Sequence, residues 1–401
     1  MTTTQHESGR NAFMTIVICF LIAFIEGIDL QSAGVAAAGV REHFALDTQS
    51  LGLFFSAAIL GLLPGGLIGG RLGDRMGRKK ILMIAVALFG LFSILTAWVT
   101  SFNGLLFARF MTGVGLGAAL PNLVALASEA VDEKARGRAI SLMYCGMPIG
   151  GIAVSLLAST AIATDWKVIF YVGGALPLLV LPMMWWFLPE SKAFLAAKQN
   201  NSQQAAFSEL WSQHFRAPTL LLWVGYFFTM IVVYMLLNWL PSLLMDLGFQ
   251  KQQATLVQMF FSVGAFIGTI GLGILVDRWK MKNVIVLMYS GIVLGLIALN
   301  IFENVYAMYF AGALVGCFTI GGQMVLYALG SQVYPTQMRG TGVGTAMTVG
   351  RFGAMAGPAV AGQVLVMGSG ATGVIMASIP GIIIAALLIL ILLNMLQKRA
   401  A

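Results

Sequence analysis

Apolar residues recur in long runs along the chain, and polar residues gather in short stretches between them. A helix rises about 1.5 Å per residue, so a run of ~20 residues crosses a ~30 Å hydrocarbon core. By that measure spans are predicted at residues 12–36, 50–70, 81–100, 102–127, 138–162, 167–188, 218–240, 253–276, 283–301, 304–328, 340–366 and 372–396. The runs are too long for barrel strands and lack their alternation, so each is read as a helix. The prediction is an all-α membrane protein of twelve transmembrane helices in two six-helix halves, residues 1–188 and 218–401. Between them, residues 189–217 carry the polar stretch Asn200-Asn201-Ser202-Gln203-Gln204 and read as a cytoplasmic linker.

Composition agrees. Of 401 residues, 59% are hydrophobic and 9% charged, against a charged share of about 25% in soluble domains. The mean hydropathy is +0.89. A net charge of +8 suits nucleic acid in principle, but the positions of the charges speak against it. Of 23 Lys and Arg, Arg41, Lys167 and Lys251 fall in one set of loops and Arg109 and Arg351 within spans. The other 18 lie in the termini and the alternate loops. This asymmetry places both termini in the cytoplasm and the chain in the inner (plasma) membrane, with nucleic acid excluded as a partner. Ala36-Ala37-Ala38-Gly39 resembles a signal-peptide cleavage site, but the run before it is too long and holds two acids. Cys19, Cys145 and Cys317 all sit in apolar runs and read as small buried hydrophobes, so no disulfide framework, metal or cofactor is expected.

The two halves share landmarks at one spacing. Asp277 follows Asp74, Ser331 follows Ser128, and Arg339-Gly340 follows Arg136-Gly137, each by 203 residues. A fixed offset of this kind predicts a parallel repeat. Glycines crowd the fourth, fifth and eleventh runs, where they let helices approach closely, and Pro121, Pro148 and Pro358 predict bends.

The stretch Gly70-Arg71-Leu72-Gly73-Asp74-Arg75-Met76-Gly77-Arg78-Lys79, with its degraded copy at Gly273 to Lys282, resembles the signature loop of the major facilitator superfamily. Within that superfamily, the paired acids Glu26 and Asp29, the exit Pro189-Glu190-Ser191 and the run Tyr334 to Gly342 resemble the aromatic acid:proton symporters. Leu105 to Asn122, Ser141 to Gly150, Asn238 to Leu244 and Gly340 to Pro358 look most like transporters of 3-(3-hydroxyphenyl)propionate. The resemblance implies proton-coupled uptake of an aromatic carboxylate by a monomer. Many relatives have Asp-Gly-x-Asp in the first span where this chain has Glu26-Gly27-Ile28-Asp29, so the first acid's role transfers less directly.

Glu26, Asp29, Arg109 and Arg351 are the formally charged residues inside the predicted spans. Four unpaired charges at mid-depth would cost ~10 to 14 kcal/mol, so they must meet one another or water. Glu26 and Asp29 are three residues apart and share a helical face, where two carboxylates cannot both ionise cheaply. That makes them candidate proton carriers, and no histidine lies in a span to compete. The expected mechanism is a charge balance: a proton on Asp29 or Glu26 releases an arginine, Arg351 foremost, to hold the substrate carboxylate by a bidentate pair. Arg109 precedes Gly113-Val114-Gly115, which resembles the superfamily's fourth-span motif, and the resemblance implies a part in proton coupling. A permanent Asp29–Arg351 pair is the structural alternative.

An aromatic ring needs apolar walls with a few polar ends. Gln31, Asn122, Tyr144, Phe227, Tyr234, Asn238, Gln323 and Tyr327 are the substrate-binding candidates, with Asn238, Gln323 or Tyr327 meeting a ring hydroxyl. Packing is the competing reading for each. Asp74, Arg75 and Arg78 are read as a cytoplasmic latch and Glu129, Arg136 and Arg138 as its partner surface, against the plain alternative of a solvated basic loop. Gly146-Met147-Pro148-Ile149-Gly150-Gly151 partly resembles an antiporter signature and keeps proton-driven efflux as the alternative. A membrane enzyme would need a nucleophile with its base, or a metal cluster, and the sequence carries no His-Glu-x-x-His or comparable motif.

Overall fold

The computed structural model describes residues 2–132, 135–160, 165–191, 194–195 and 210–400. Asn200 to Gln204 of the predicted linker, Lys134, Lys192 and Lys198 of the charge pattern, and the end of the predicted fifth span lie outside the described residues, as do the side chains of Arg10, Arg339, Lys398 and Arg399.

Among the described residues the helices are α1 (Thr2–His43), α2 (Thr48–Met76), α3 (Arg78–Trp98), α4 (Phe102–Glu129), α5 (Arg136–Tyr144), α6 (Gly146–Ser159), α7 (Lys167–Phe187), α8 (Arg216–Asp246), α9 (Lys251–Arg278), α10 (Met281–Ile301), α11 (Val305–Val333), α12 (Thr336–Val366) and α13 (Gly370–Ala400). Among the described residues, eleven spans are long and apolar enough to cross a membrane, with α5 and α6 together forming one of them. The twelfth is α12, whose 31 residues suffice in length while its glycines, Gln363 and Arg351 dilute its hydropathy. This is the twelve-helix membrane architecture.

The predicted fifth span differs from the structure, which divides it at Cys145. Pro148 has no N–H to give the Tyr144 carbonyl, so the ladder loses a rung there. Cys145 stays in right-handed helical geometry, with φ −60 and ψ −21, so the chain keeps its direction through the break.

The chain forms two compact units, Met1–Leu46 with Leu53–Ser202, and Asp47–Gly52 with Gln203–Ala401. Inside the first, α1 packs on α6 and α7, and α3 on α4 and α7. Inside the second, α8 packs on α12 and α13, and α10 on α11 and α13, which is the same scheme of neighbours. The repeat reaches atomic detail. In the α2–α4 seam a Cβ on Gly61, Gly65 or Gly113 would strike the backbone carbonyls of Phe110, Val114 and Ala58. In the α9–α11 seam Gly264, Gly268 and Gly316 stand equally close to the carbonyls of Ala313, Cys317 and Phe261. Every glycine and every carbonyl of the second set follows its counterpart by 203 residues. Gly150 against Phe24 and Gly353 against Phe227 repeat the relation between α1–α6 and α8–α12. Only a hydrogen side chain permits backbones this close, and the close packing replaces the hydrophobic drive that lipid cannot supply.

Candidate transport site

Asp29 on α1 is fully buried, and Arg109 on α4 is 1% exposed. Arg109 Nη1 donates to both Asp29 carboxylate oxygens at 3.4 Å. Ser93 on α3 donates from Oγ to Asp29 Oδ1 at 3.0 Å. The guanidinium also lies over the rings of Phe170, 5.3 Å from its centroid, and Phe54, 5.9 Å away. Five elements thus hold one ion pair: α1 supplies the acid, α4 the cation, α3 a hydroxyl, and the rings of α2 and α7 flank the cation. An aromatic face attracts a desolvated cation by its quadrupole, so the rings hold Arg109 whether or not Asp29 is charged. Glu26, one turn before Asp29, is 2% exposed. Asp29 therefore pairs with Arg109, which the sequence had named for proton coupling without specifying its acid.

The other candidates fall into three groups. Gln31 on α1 is buried and Tyr144, the last residue of α5, is half-buried. Asn122 lies ~20 Å along α4 from Arg109. It gives its amide hydrogens to the carbonyls of Gly69, at 3.1 Å, and Ala118, at 2.8 Å, so in this structure it joins α4 to α2. In the second unit, Asn238 on α8 is buried and bonds back to the Tyr234 carbonyl at 2.8 Å. Phe227 and Tyr234 on the same helix are half-buried. Tyr327 on α11, 36% exposed, is electrostatically coupled to Arg351 on α12, and Gln323 lies one turn before Tyr327 on its helix.

Residues 19–358 match the family model described as Major Facilitator Superfamily. The chain belongs to the major facilitator superfamily. It is 50% identical to the 3-(3-hydroxy-phenyl)propionate transporter of Escherichia coli, over 98% of this chain and 97% of that one. To the gallate transporter of Pseudomonas putida it is 33% identical, over 89% of this chain and 86% of that one. Among solved structures, the D-xylose-proton symporter superposes with a TM-score of 0.76 at 18% identity, covering 94% of this chain and 96% of that one, and so shares the fold. The protein is a multi-pass membrane transporter and not an enzyme.

The superfamily loop between α2 and α3 is tied to its own unit. Arg78 pairs with Glu129 at the end of α4 and, at 3.2 Å, with Asp74. Ser191 donates from Oγ to Glu129 Oε2 at 2.7 Å. Glu190 Oε1 accepts the backbone N–H of Lys79 at 3.0 Å and of Ser191 at 2.8 Å. Gly77 has φ 105, in the left-handed region, and a Cβ there would strike the Glu190 carboxylate. Arg75, Arg136 and Arg138 are exposed. The structure thus gathers Asp74, Arg78 and Glu129 into one network and leaves three arginines of the set on the surface. Sequence reasoning took Glu190 and Ser191 only as part of an exit motif, and missed Ser93, Phe54 and Phe170 altogether. The one available signal for Ser93 was a hydroxyl in an otherwise apolar stretch of the third span.

Proposed function

We propose that this transporter imports an aromatic carboxylate together with a proton, and that its cargo is 3-(3-hydroxyphenyl)propionate or a close phenylpropionate. One observation carries the reading of the cargo: half of all positions match a transporter of that acid along nearly the whole chain. The buried Asp29–Arg109 pair supports the proton. With Glu26 and Asp29 ionised, the charges of the spans sum to zero against Arg109 and Arg351. A proton on Asp29 weakens the bond to Arg109 first and leaves one positive charge in excess. A bound carboxylate restores neutrality, and Arg351, whose charge also acts on Tyr327, offers it a two-pronged donor. Gln323 and Asn238 remain the candidates for the ring hydroxyl, and Gln31, Asn122, Tyr144 and Tyr234 for the rest of the pocket. Carrying the proton also cancels the ~2.3 kcal/mol that an anion would cost in entering a cell negative by 100 mV.

The charge asymmetry of the loops supports an inner-membrane position with both termini in the cytoplasm. In that orientation the Asp74–Arg78–Glu129 network is a cytoplasmic latch, with Arg75, Arg136 and Arg138 at its surface, and residues 1–188 and 218–401 are the two halves of an alternating-access monomer.

Uptake of radiolabelled 3-(3-hydroxyphenyl)propionate into membrane vesicles tests the reading. Accumulation should follow an imposed gradient, acid outside, and collapse with a protonophore, while benzoates, gallate and phenylpropionates compete in order of fit. Extrusion under the same gradient would replace import by efflux, and uptake indifferent to both pH and potential would remove the proton from the mechanism.

A further inference from the structure

Ser93 holds a position that the ion pair alone does not require. It is fully buried, and its one hydroxyl hydrogen faces two acceptors: Asp29 Oδ1 at 3.0 Å and the carbonyl of Phe170 at 3.4 Å. A carboxylate accepts only, whereas a carboxylic acid must also place a proton. When Asp29 is ionised, Ser93 Oγ–H points to Oδ1. When the proton sits on Oδ1 and faces Ser93, that geometry would bring two hydrogens together.

The neutral acid has a way out within the same atoms. The proton arrives on Oδ1, the Ser93 hydroxyl rotates so that its hydrogen turns to the Phe170 carbonyl, and its freed lone pair accepts the new Oδ1–H. No covalent bond of Ser93 breaks, and each polar hydrogen keeps an acceptor. Arg109 is built to tolerate the exchange. Its contacts to Asp29, at 3.4 Å, are longer than the ~2.7–2.9 Å of a tight charge-assisted bond, and its guanidinium also has the Phe170 ring, which carries no proton to exchange.

We propose that Ser93 is a positioning residue for proton coupling, a rotating hydroxyl that satisfies Asp29 in both of its protonation states. This rests on the reading of Asp29 as the proton site. The surrounding helices add few competitors. Glu26 stands on α1 itself and Arg109 on α4. No ionisable side chain occurs on α3 between Lys80 and Trp98, on α2 between Thr48 and Gly70, or on α6. Tyr144 and Cys145 lie at the break before α6, and on α7 Tyr171 is 37% exposed while the Lys167 ammonium lies over the Trp166 ring.

The test compares Ser93→Ala, Ser93→Cys and Ser93→Thr with the unaltered protein, with membrane amounts equalised by immunoblot. Initial uptake of radiolabelled 3-(3-hydroxyphenyl)propionate is followed across pH, together with counterflow at symmetric pH. A donor to a charged group is worth more than one to a neutral group. Loss of the hydroxyl should therefore displace the alkaline limb of the uptake profile upward by about half to one pH unit, three- to tenfold in proton concentration. Counterflow should change less than twofold, Thr should restore the profile, and Cys, a weak donor, should fall between. Profiles of Ala and Cys that superpose on the unaltered protein, or a loss equal at every pH that Thr does not repair, would overturn the proposal. Uptake by the unaltered protein that ignores the pH gradient would instead overturn the coupling itself, so the two failures read differently.

Discussion

The sharpest consequence of the site is that Asp29 and Arg109 must be energetically coupled, and by a bounded amount. At 3.4 Å, with an effective dielectric constant near 20, their attraction is about 5 kcal/mol before desolvation is counted. Two features reduce what a substitution reveals. The rings of Phe170 and Phe54, at 5.3 and 5.9 Å, retain about 1–2 kcal/mol of attraction for the cation after Asp29 is neutralised. Ser93 can still donate to the amide oxygen of an asparagine. Asp29→Asn should therefore cost about 2–3 kcal/mol. Arg109→Gln strands a buried carboxylate with fewer compensations and should cost about 3–5 kcal/mol. The double variant removes both charges, so its loss should fall short of the sum by about 2–3 kcal/mol. Glu26 is present in all four proteins and cancels from the cycle. Thermal unfolding of the purified proteins in one detergent near neutral pH measures it. Additivity within about 0.5 kcal/mol would refute the pairing as an energetic unit.

Three further outcomes follow from the packing. Gly61→Ala and Gly264→Ala, which press a methyl into the carbonyls of Phe110 and Ala313, should each lower stability by about 1–3 kcal/mol, whereas Gly271→Ala, with open space around it, should be neutral or stabilising by up to about 1 kcal/mol; thermal shift compares them. Asp246→Ala removes the carboxylate that accepts the Ala371 N–H at the start of α13, at 2.9 Å, and should cost about 1 kcal/mol in the same assay, with Asn recovering part. Gly77→Ala forces a side chain into left-handed backbone and onto the Glu190 carboxylate, and should cost about 1–3 kcal/mol and expose the α2–α3 loop to proteolysis, while Glu190→Gln does less.

The spans were legible because lipid leaves a helix no other way to hide its backbone, and run length reads directly as membrane thickness. The interruption at Cys145 was not, because Pro148 promises a bend without saying whether the ladder closes around it. For the site, Glu26, Asp29, Arg109 and Arg351 stood out because charge in hydrocarbon is costly. Their pairing was hidden, since Asp29 and Arg109 are 80 residues apart and only the packing of α1 on α4 joins them. Neutral polar residues were the least legible. Asn122 reads from sequence equally as a ligand contact or a packing residue, and only the structure shows its bonds joining two helices, while Ser93, one hydroxyl among many in apolar runs, sits on the acid.

The repeat explains why the charged residues carry more weight than their number suggests. Backbone contacts recur at a step of 203 residues through both seams of close-packed glycines, so the scaffold is held in common. The chemistry is not. Residues 203 beyond Glu26, Asp29 and Arg109 are Thr229, Val232 and Gly312, and the residue 203 before Arg351 is Pro148. Where the first half has Glu26, the second has Thr229, bonded to the buried hydroxyl of Tyr289 at 2.9 Å, a neutral pair with no charge to exchange. A half that held both acid and anion site could complete its charge balance alone, and nothing would oblige proton and substrate to move together. In the proposed mechanism the acids belong to one half and Arg351 to the other, so neutrality would depend on both, which is the condition that coupled transport needs.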